Sequence, residues 1–243
     1  MSENRKFSVL MSVYIKENPV FLEEAVESIL NQTLKPSEVV LVEDGSLTPE
    51  LYQVLEKLTA QSTIPIKRCP LEQNRGLGLA LQYGVLQCQY DVIARMDTDD
   101  IAVEDRFEKQ FNLMETENLD LLGGHIAEFI DQPDEIVSYR RVPTKHEDII
   151  AYQRMRSAFN HMTVMFKKEM VLKAGNYEDG LYMEDDLLWL NMISAGARTG
   201  NVDQILCKVR VGAGMFERRG GLRYLKLYRQ ARKRMQARGQ ISY

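Results

Sequence analysis

Apolar and polar positions alternate in blocks along the first half of the chain. "KFSVLMSVY" (Lys6–Tyr14) is apolar and β-branched, which predicts a buried strand. Pro19 stands where a first helical turn tolerates it. Phe21, Leu22, Ala25, Val26, Ile29 and Leu30 then follow at the spacing of a one-faced helix. "SEVVLVEDGS" (Ser37–Ser46) predicts a second strand running into a turn. Glu50–Ala60 reads as a helix, Ile64–Cys69 as a third strand, Gly78–Gln87 as a helix, Asp91–Met96 as a fourth strand and Asp105–Glu117 as a helix. Such alternation builds a mostly parallel sheet with helices on both faces. Ligands of that architecture bind beyond the carboxyl ends of the strands. Three strand ends carry polar signals: Tyr14 to Glu17, Glu43-Asp44-Gly45-Ser46, and Asp97 to Asp100. They are expected to converge on one crevice.

The second half is less regular. Ile126–Ile130 and Ile136–Val142 read as strands around the turn "DQPDE", and Thr163–Phe166 as a short strand before a helix near Lys168–Lys173. Asp185–Ser194 and Gly221–Arg238 read as helices. No repeat, low-complexity stretch or linker divides the chain, so one compact domain is expected.

Composition narrows the class. Of 243 residues, 44% are hydrophobic and 27% charged, close to soluble globular averages. No apolar run approaches the ~18 residues of a membrane span. "MSENRKFSVL" lacks the apolar core of a signal peptide. Cys69, Cys88 and Cys207 are isolated and odd in number, which points to a reducing compartment and no thiolate metal site. The default location is the cytoplasm. The net charge of −4 is unevenly spread: Glu217–Tyr243 holds nine Lys or Arg and one Glu. An acidic body therefore carries a basic tail. Leu222, Leu225, Tyr228, Ala231 or Arg232, and Met235 lie near helical spacing in that tail. The tail reads either as a helix packed on the domain or as a basic amphipathic helix at an anionic membrane surface. Nucleic acid is a poorer partner, because the acidic body is repelled from it.

"VIARMDTDD" (Val92–Asp100) raises the chemical question. Asp97, Asp99 and Asp100 crowd three carboxylates into four positions. Each disfavours ionisation of its neighbours. Helix capping is one reading, since Asp105 begins a helix. The cluster, however, sits at the ligand edge and holds more carboxylate than a cap requires. A divalent cation resolves the repulsion. Mg²⁺ or Mn²⁺ takes one or two carboxylates and fills its other positions with phosphate oxygens and water.

Six segments stand in order: "SVLMSVYIKEN", "SILNQTLKPSEVVLVEDGS", "NRGLGLALQYG", "ARMDTDDIAVEDRFEKQ", "FNHMTVMFKKEMVLKAGNY" and "MEDDLLWLNM". Together they resemble the inverting glycosyltransferase family 2, of the GT-A fold, over roughly Phe7 to Gly214. The ordered set is specific where each piece alone is not. The bacterial enzymes that build O-antigen, capsule or exopolysaccharide are nearest in character, those resembling β-1,3-galactosyltransferases above all.

The resemblance implies an α/β fold: a Rossmann-like, mostly parallel sheet flanked by helices, with a small mixed C-terminal acceptor part. It divides residues 1–243 into a nucleotide-binding half (1–117), an acceptor and catalytic half (118–216) and the basic helix (217–243). Val13, Tyr14 and Glu17 match positions lining the nucleotide pocket. Asp44 matches the residue that reads the uracil edge, and Arg75 and Gly76 a loop beside the diphosphate. Asp97 would approach the ribose or donor sugar. Asp99 would ligate Mn²⁺ or Mg²⁺, and Asp185 would be the catalytic base. His161, Glu184 and Trp189 fall in the acceptor region. The implied reaction is an in-line, inverting transfer of a hexose from a UDP-sugar to a saccharide acceptor, lipid-linked in the resembled pathways, at the inner face of the cell membrane.

Other readings of the same residues stay open. Tyr14 also fits a core aromatic, Glu43-Asp44-Gly45 a tight turn, and Arg75 a solvated loop charge. Glu184-Asp185-Asp186 also fits an acidic helix start. His161 also fits a structural partner, and Trp189 a core residue rather than a sugar platform. One departure from the family is plain: Val209–Phe216 ("VRVGAGMF") lacks the His many relatives carry there. Arg210, Arg218 or Arg219 is expected to neutralise the leaving diphosphate instead. A sugar nucleotidyltransferase, a D-x-D phosphatase and a catalytically silent scaffold are the competing functions. The first would want a Gly-rich loop after the first strand. The second would carry its acids on the first strand.

Overall fold

The computed structural model describes residues 5–179, 183–212 and 221–241. The first half alternates as its pattern predicts: β1 (Phe7–Val13), α1 (Pro19–Leu30), β2 (Glu38–Glu43), α2 (Pro49–Gln61), β3 (Ile66–Pro70), α3 (Leu77–Gln87) and β4 (Val92–Arg95). A two-residue β5 (Ile101–Ala102) precedes α4 (Arg106–Glu117). Then come β6 (Leu121–Phe129), β7 (Ile136–Arg140), α5 (His146–Gln153), a 3-10 turn (His161–Thr163), β8 (Met165–Lys167), α6 (Lys168–Lys173), α7 (Glu184–Ser194), β9 (Thr199–Arg210) and α8 (Gly221–Ala237).

The strands form one sheet in the order β3-β2-β1-β4-β8-β6-β9-β5, with β7 added on β6. β3, β2, β1 and β4 are mutually parallel. β8 then runs antiparallel to both β4 and β6, while β9 is parallel to β6. The expected parallel half and mixed second part are therefore both present. Nearly every residue of β1 and β2 is buried, because helices cover both faces. One apolar cluster joins the sheet to α1, α2 and α4, the other to α3, α6 and α7. Capping fixes where α1 and α2 start: Val20 N–H donates to Asn18 Oδ1 (2.9 Å) and Leu51 N–H to Thr48 Oγ1 (3.3 Å), each followed by Pro at the first helical position.

The sequence pattern misses β9, α5 and the first half of β6. Gly123 and Gly124 interrupt the apolar run of β6, so the strand reads as beginning at Ile126. These glycines are required by close packing. A Cβ at Gly123 would lie 2.4 Å from Asn201 Oδ1, and one at Gly124 2.4 Å from Leu206 Cδ1. The predicted strand at Thr163–Phe166 starts instead at Met165, because the preceding residues close the 3-10 turn.

α8 resolves the two readings of the basic tail in part. Ala231 and Met235, with Ile241 beyond the helix, pack on Met183, Leu187 and Leu190. This apolar face is turned to the domain, while Leu225, Lys226, Arg229 and Lys233 are exposed. Among the described residues no helix is long and apolar enough to cross a membrane. All three cysteines are free and buried. Burial pushes the Cys88 and Cys207 thiols up to about 12, so neither is a reactive thiolate.

Candidate functional site

The sheet reverses direction of growth at β1, whose neighbours are β2 and β4. A crevice is expected beyond their carboxyl ends, and the three polar strand ends do meet there. Asp44 N–H donates to Val13 O (2.8 Å), joining the end of β2 to that of β1. Val13 is fully buried in the apolar core and meets this junction through its carbonyl. Tyr14 is partly buried beside it. The Asp44 carboxylate accepts the N–H of Arg75 (2.7 Å) on one oxygen and that of Gly76 (3.0 Å) on the other. Asp44 thus anchors the loop before α3, and each oxygen retains a further lone pair for a ligand. Gly45 allows the approach: its φ is +84°, and a Cβ there would lie 2.6 Å from Asn74 N. The Arg75 side chain is exposed at the mouth of the loop.

Glu17 has a duty the sequence does not reveal. Its Oε2 accepts the Thr98 hydroxyl at 2.5 Å, bracing the loop after β1 against the acidic loop after β4. Thr98, the middle residue of D-T-D, is buried.

Asp97, Asp99 and Asp100 bring carboxylate oxygens within 4.8 Å of one another. None of them is the N-cap of α4, which is Asp105. Asp97 is ion-paired with Arg95. Asp100 is buried and accepts the N–H of Arg210 on β9 (3.0 Å). Burial, then Asp97 and Glu17, push Asp99 up to about 7. Burial and the neighbouring acids push Asp100 well above the usual carboxylate range. β9, invisible in the sequence pattern, holds this loop from below: β5 pairs with it, and the buried Arg106 donates to Cys207 Sγ (3.3 Å) and to Arg95 O (2.7 Å).

A second acidic cluster opens α7. Gln153 Nε2 donates to Asp186 (2.7 Å), which fixes that carboxylate. Asp185 accepts the Asp186 N–H (2.9 Å). Burial, then Asp186 and Glu184, push Asp185 up to about 8. Glu184 is raised too, first by burial, with Asp97 among the charges it feels. The two clusters therefore lie close enough to interact. Gly78 at the start of α3 lets α7 come near: a Cβ there would lie 3.0 Å from Glu184 Cβ.

At three residues the structure bears on readings the sequence leaves open. Trp189 is fully buried between Phe159, His161 and Tyr177, so it is a core residue and no sugar can stack on it. His161, partly exposed, lies 2.9 Å from the Tyr177 hydroxyl, and burial holds its pKa well below the usual imidazole range, which suits the structural reading. Arg210 is committed elsewhere. It pairs with Glu24 (2.6 Å) and stacks between Phe21 and Phe129, so it is not free to meet a diphosphate. Arg218 and Arg219 lie outside the described residues. Arg95, Thr98 and Arg106 were not anticipated. A lone Arg ending the apolar strand "VIAR" was the one available signal.

Residues 8–176 match the family described as glycosyl transferase family 2. The chain is 43% identical over 221 residues to an amylovoran biosynthesis glycosyltransferase of Erwinia amylovora, covering 90% of this chain and 82% of that one. It is 39% identical, covering 90% and 79%, to an Escherichia coli UDP-Gal:α-D-GlcNAc-diphosphoundecaprenol β-1,3-galactosyltransferase. Among solved structures it is similar to S. aureus TarS 1-349 in complex with UDP-GlcNAc. The TM-score is 0.68 and the identity 18%, over 93% of this chain and 65% of that one. At that identity the likeness speaks for the fold.

Proposed function

The chain belongs to glycosyl transferase family 2 and has the GT-A fold, and from this premise we propose that it transfers a hexose from a UDP-sugar, with inversion, to a hydroxyl of a lipid-linked saccharide during synthesis of a bacterial surface polysaccharide. The observation that carries the reading is the meeting of two acidic clusters at one crevice: Asp97–Asp100 beyond β4, and Glu184–Asp186 opening α7. One cluster suits the donor, the other the acceptor.

Asp185 takes the proton of the attacking hydroxyl. Its raised pKa is matched to that task, because a base poised near the working pH combines the right protonation state with enough driving force. Attack on one face of the anomeric carbon with departure from the other inverts configuration and needs no covalent intermediate. Asp44 and the Arg75–Gly76 loop it anchors line the nucleotide side, where a carboxylate lone pair can accept a base N–H. Three clustered hard oxygen donors suit a divalent cation. Asp99, with Asp97 and Asp100 beside it, would hold Mn²⁺ or Mg²⁺. Bound there, it would neutralise charge on the departing diphosphate.

A thermal-shift series with Mn²⁺ and different nucleotide-sugars tests the donor class. UDP-sugars should raise the melting temperature most, by mass action: about 2.7 kcal/mol at a hundredfold excess over Kd. No preference for UDP over GDP or TDP sugars contradicts it.

The basic tail supports a peripheral membrane contact, now restricted to charge. The inward apolar face cannot also enter a bilayer, so among the described residues the exposed Lys226, Arg229 and Lys233 would make the contact. Each is worth about 1 kcal/mol at an anionic surface. Co-sedimentation with anionic vesicles should weaken with salt and be lost on reversing these three charges to Glu. Equal binding to neutral vesicles, or full binding by the reversed variant, would remove the contact.

A further inference from the structure

Arg95 is an arginine buried at the end of an apolar strand. It ends β4 after Ile93 and Ala94, both fully buried, and is itself 1% exposed. Among the described residues, one guanidinium nitrogen is ion-paired, to Asp97. Nε and Nη1 are buried with no hydrogen-bond partner among them. Unpaired buried N–H groups cost free energy, and a well-packed apolar side chain often replaces a buried ion pair without loss of stability. The surroundings nevertheless hold this residue rigidly. Its N–H donates to Val164 O (2.8 Å), and its carbonyl accepts from Arg106 (2.7 Å). Val164 follows the 3-10 turn that carries His161, and His161 packs through Tyr177 and Trp189 onto α7.

We propose that Arg95 is a positioning residue for the transfer: its ion pair fixes the Asp97 carboxylate at the donor site, and its solvent-excluded cation is shared with the acidic cluster that opens α7. The inference rests on the functional reading above and deepens it. Asp97 is itself partly exposed, and its ion-pair partner among the described residues is Arg95. The charge of Arg95 also favours the ionised forms of Asp185 and Glu184, against burial. Among the described residues, Asp185 also interacts with Glu184 and Asp186 on its own helix and with the buried Tyr177. Asp97 and Asp179 act on Glu184, while Gln153, Ser157, Arg140 and Arg232 act on Asp186. Among the described residues, Arg95 is the cation acting on Asp185.

Arg95→Met and Arg95→Lys, each measured for melting temperature, UDP-sugar affinity by calorimetry with Mn²⁺, and the pH profile of kcat, test the proposal. Arg95→Met should fold with a melting temperature at or above wild type, since Asp97 can rehydrate. Its donor affinity should fall about tenfold or more, because a carboxylate displaced by ~1 Å can cost up to 10²-fold. The acid limb of kcat should move to higher pH, because loss of a nearby cation raises a carboxylate pKa. Arg95→Lys keeps a cation able to reach Asp97 and should restore both properties. Wild-type affinity and an unmoved limb in Arg95→Met overturn the role of Arg95 alone. So does a variant pair equally unstable and equally impaired, which marks a packing role. Should Arg95→Met not fold, Arg95→Gln is measured instead, with the same expected losses. Wild-type protein that binds no UDP-sugar overturns the functional reading itself, and the inference with it.

Discussion

Asp185→Asn is expected to lower kcat by about 10²–10⁴-fold, the usual worth of a general base, while donor affinity stays within a few-fold of wild type. An amide is nearly isosteric with the carboxylate but cannot take the acceptor proton. In the wild type the base must be ionised, so kcat should rise with pH through an acid limb near 8, the value to which burial and its two acidic neighbours push Asp185. The limb belongs to the coupled cluster rather than to one residue. Stability runs the other way. Between the ordinary carboxylate value of 3.8 and about 8, the folded protein retains a proton that the unfolded chain has released. Stability therefore falls as pH rises through that window. Asp185→Asn should flatten this slope, and the variant should melt higher than the wild type at pH 8. Steady-state kinetics beside calorimetric donor titration checks the first claim, and melting curves from pH 5 to 9 the second. Lost donor binding with unchanged turnover of the bound donor points away from a base. A variant that stays active transfers the role to Glu184, since Asp186 is held by Gln153.

Asp99→Ala is expected to abolish metal-dependent UDP-sugar binding and to cost at least about 10² in kcat/KM, given the several kcal/mol a cation contributes at a developing charge. Asp97 and Asp100 are already engaged by Arg95 and by the Arg210 N–H, which leaves Asp99 the most available ligand. The fold should survive. Removing one of three mutually repelling carboxylates should raise the melting temperature of the metal-free protein at neutral pH, where Asp99 is pushed up to about 7. Calorimetric titration with Mn²⁺ alone gives a readout independent of turnover. Wild-type rates with an unchanged Mn²⁺ response would show that the cation sits elsewhere or is not used.

The parallel half was legible because its physics is repetitive. β1 and β2 are buried on both faces and so appear as mostly apolar runs, and Pro19 and Pro49 mark where helices begin. β9 was not legible. Asn201, Asp203 and Gln204 break its apolar run, and its register against β6 shifts at Gly124 and His125. A strand of that kind is specified by its partner rather than by its own pattern. The acids at the strand ends could be read because carboxylates cluster visibly in sequence. Their supports could not, because Thr98–Glu17, Arg106–Cys207 and Arg210–Asp100 each link residues far apart in the chain. Trp189, four residues after Asp185, could be read as core or as part of the acceptor face, and the fold decides for the core by packing it among Phe159, His161 and Tyr177. The spacing in the tail gave the apolar face of α8, and only the fold shows that Met183, Leu187 and Leu190 occupy it.

The most direct measurement is product analysis after incubation with a UDP-α-hexose, Mn²⁺ and a lipid-diphosphate saccharide, reading UDP release and the anomeric proton of the new linkage together. One UDP released per saccharide extended, with a β linkage, is the expected result. An α linkage, release of pyrophosphate, or UDP release without extension of the acceptor would contradict inverting glycosyl transfer.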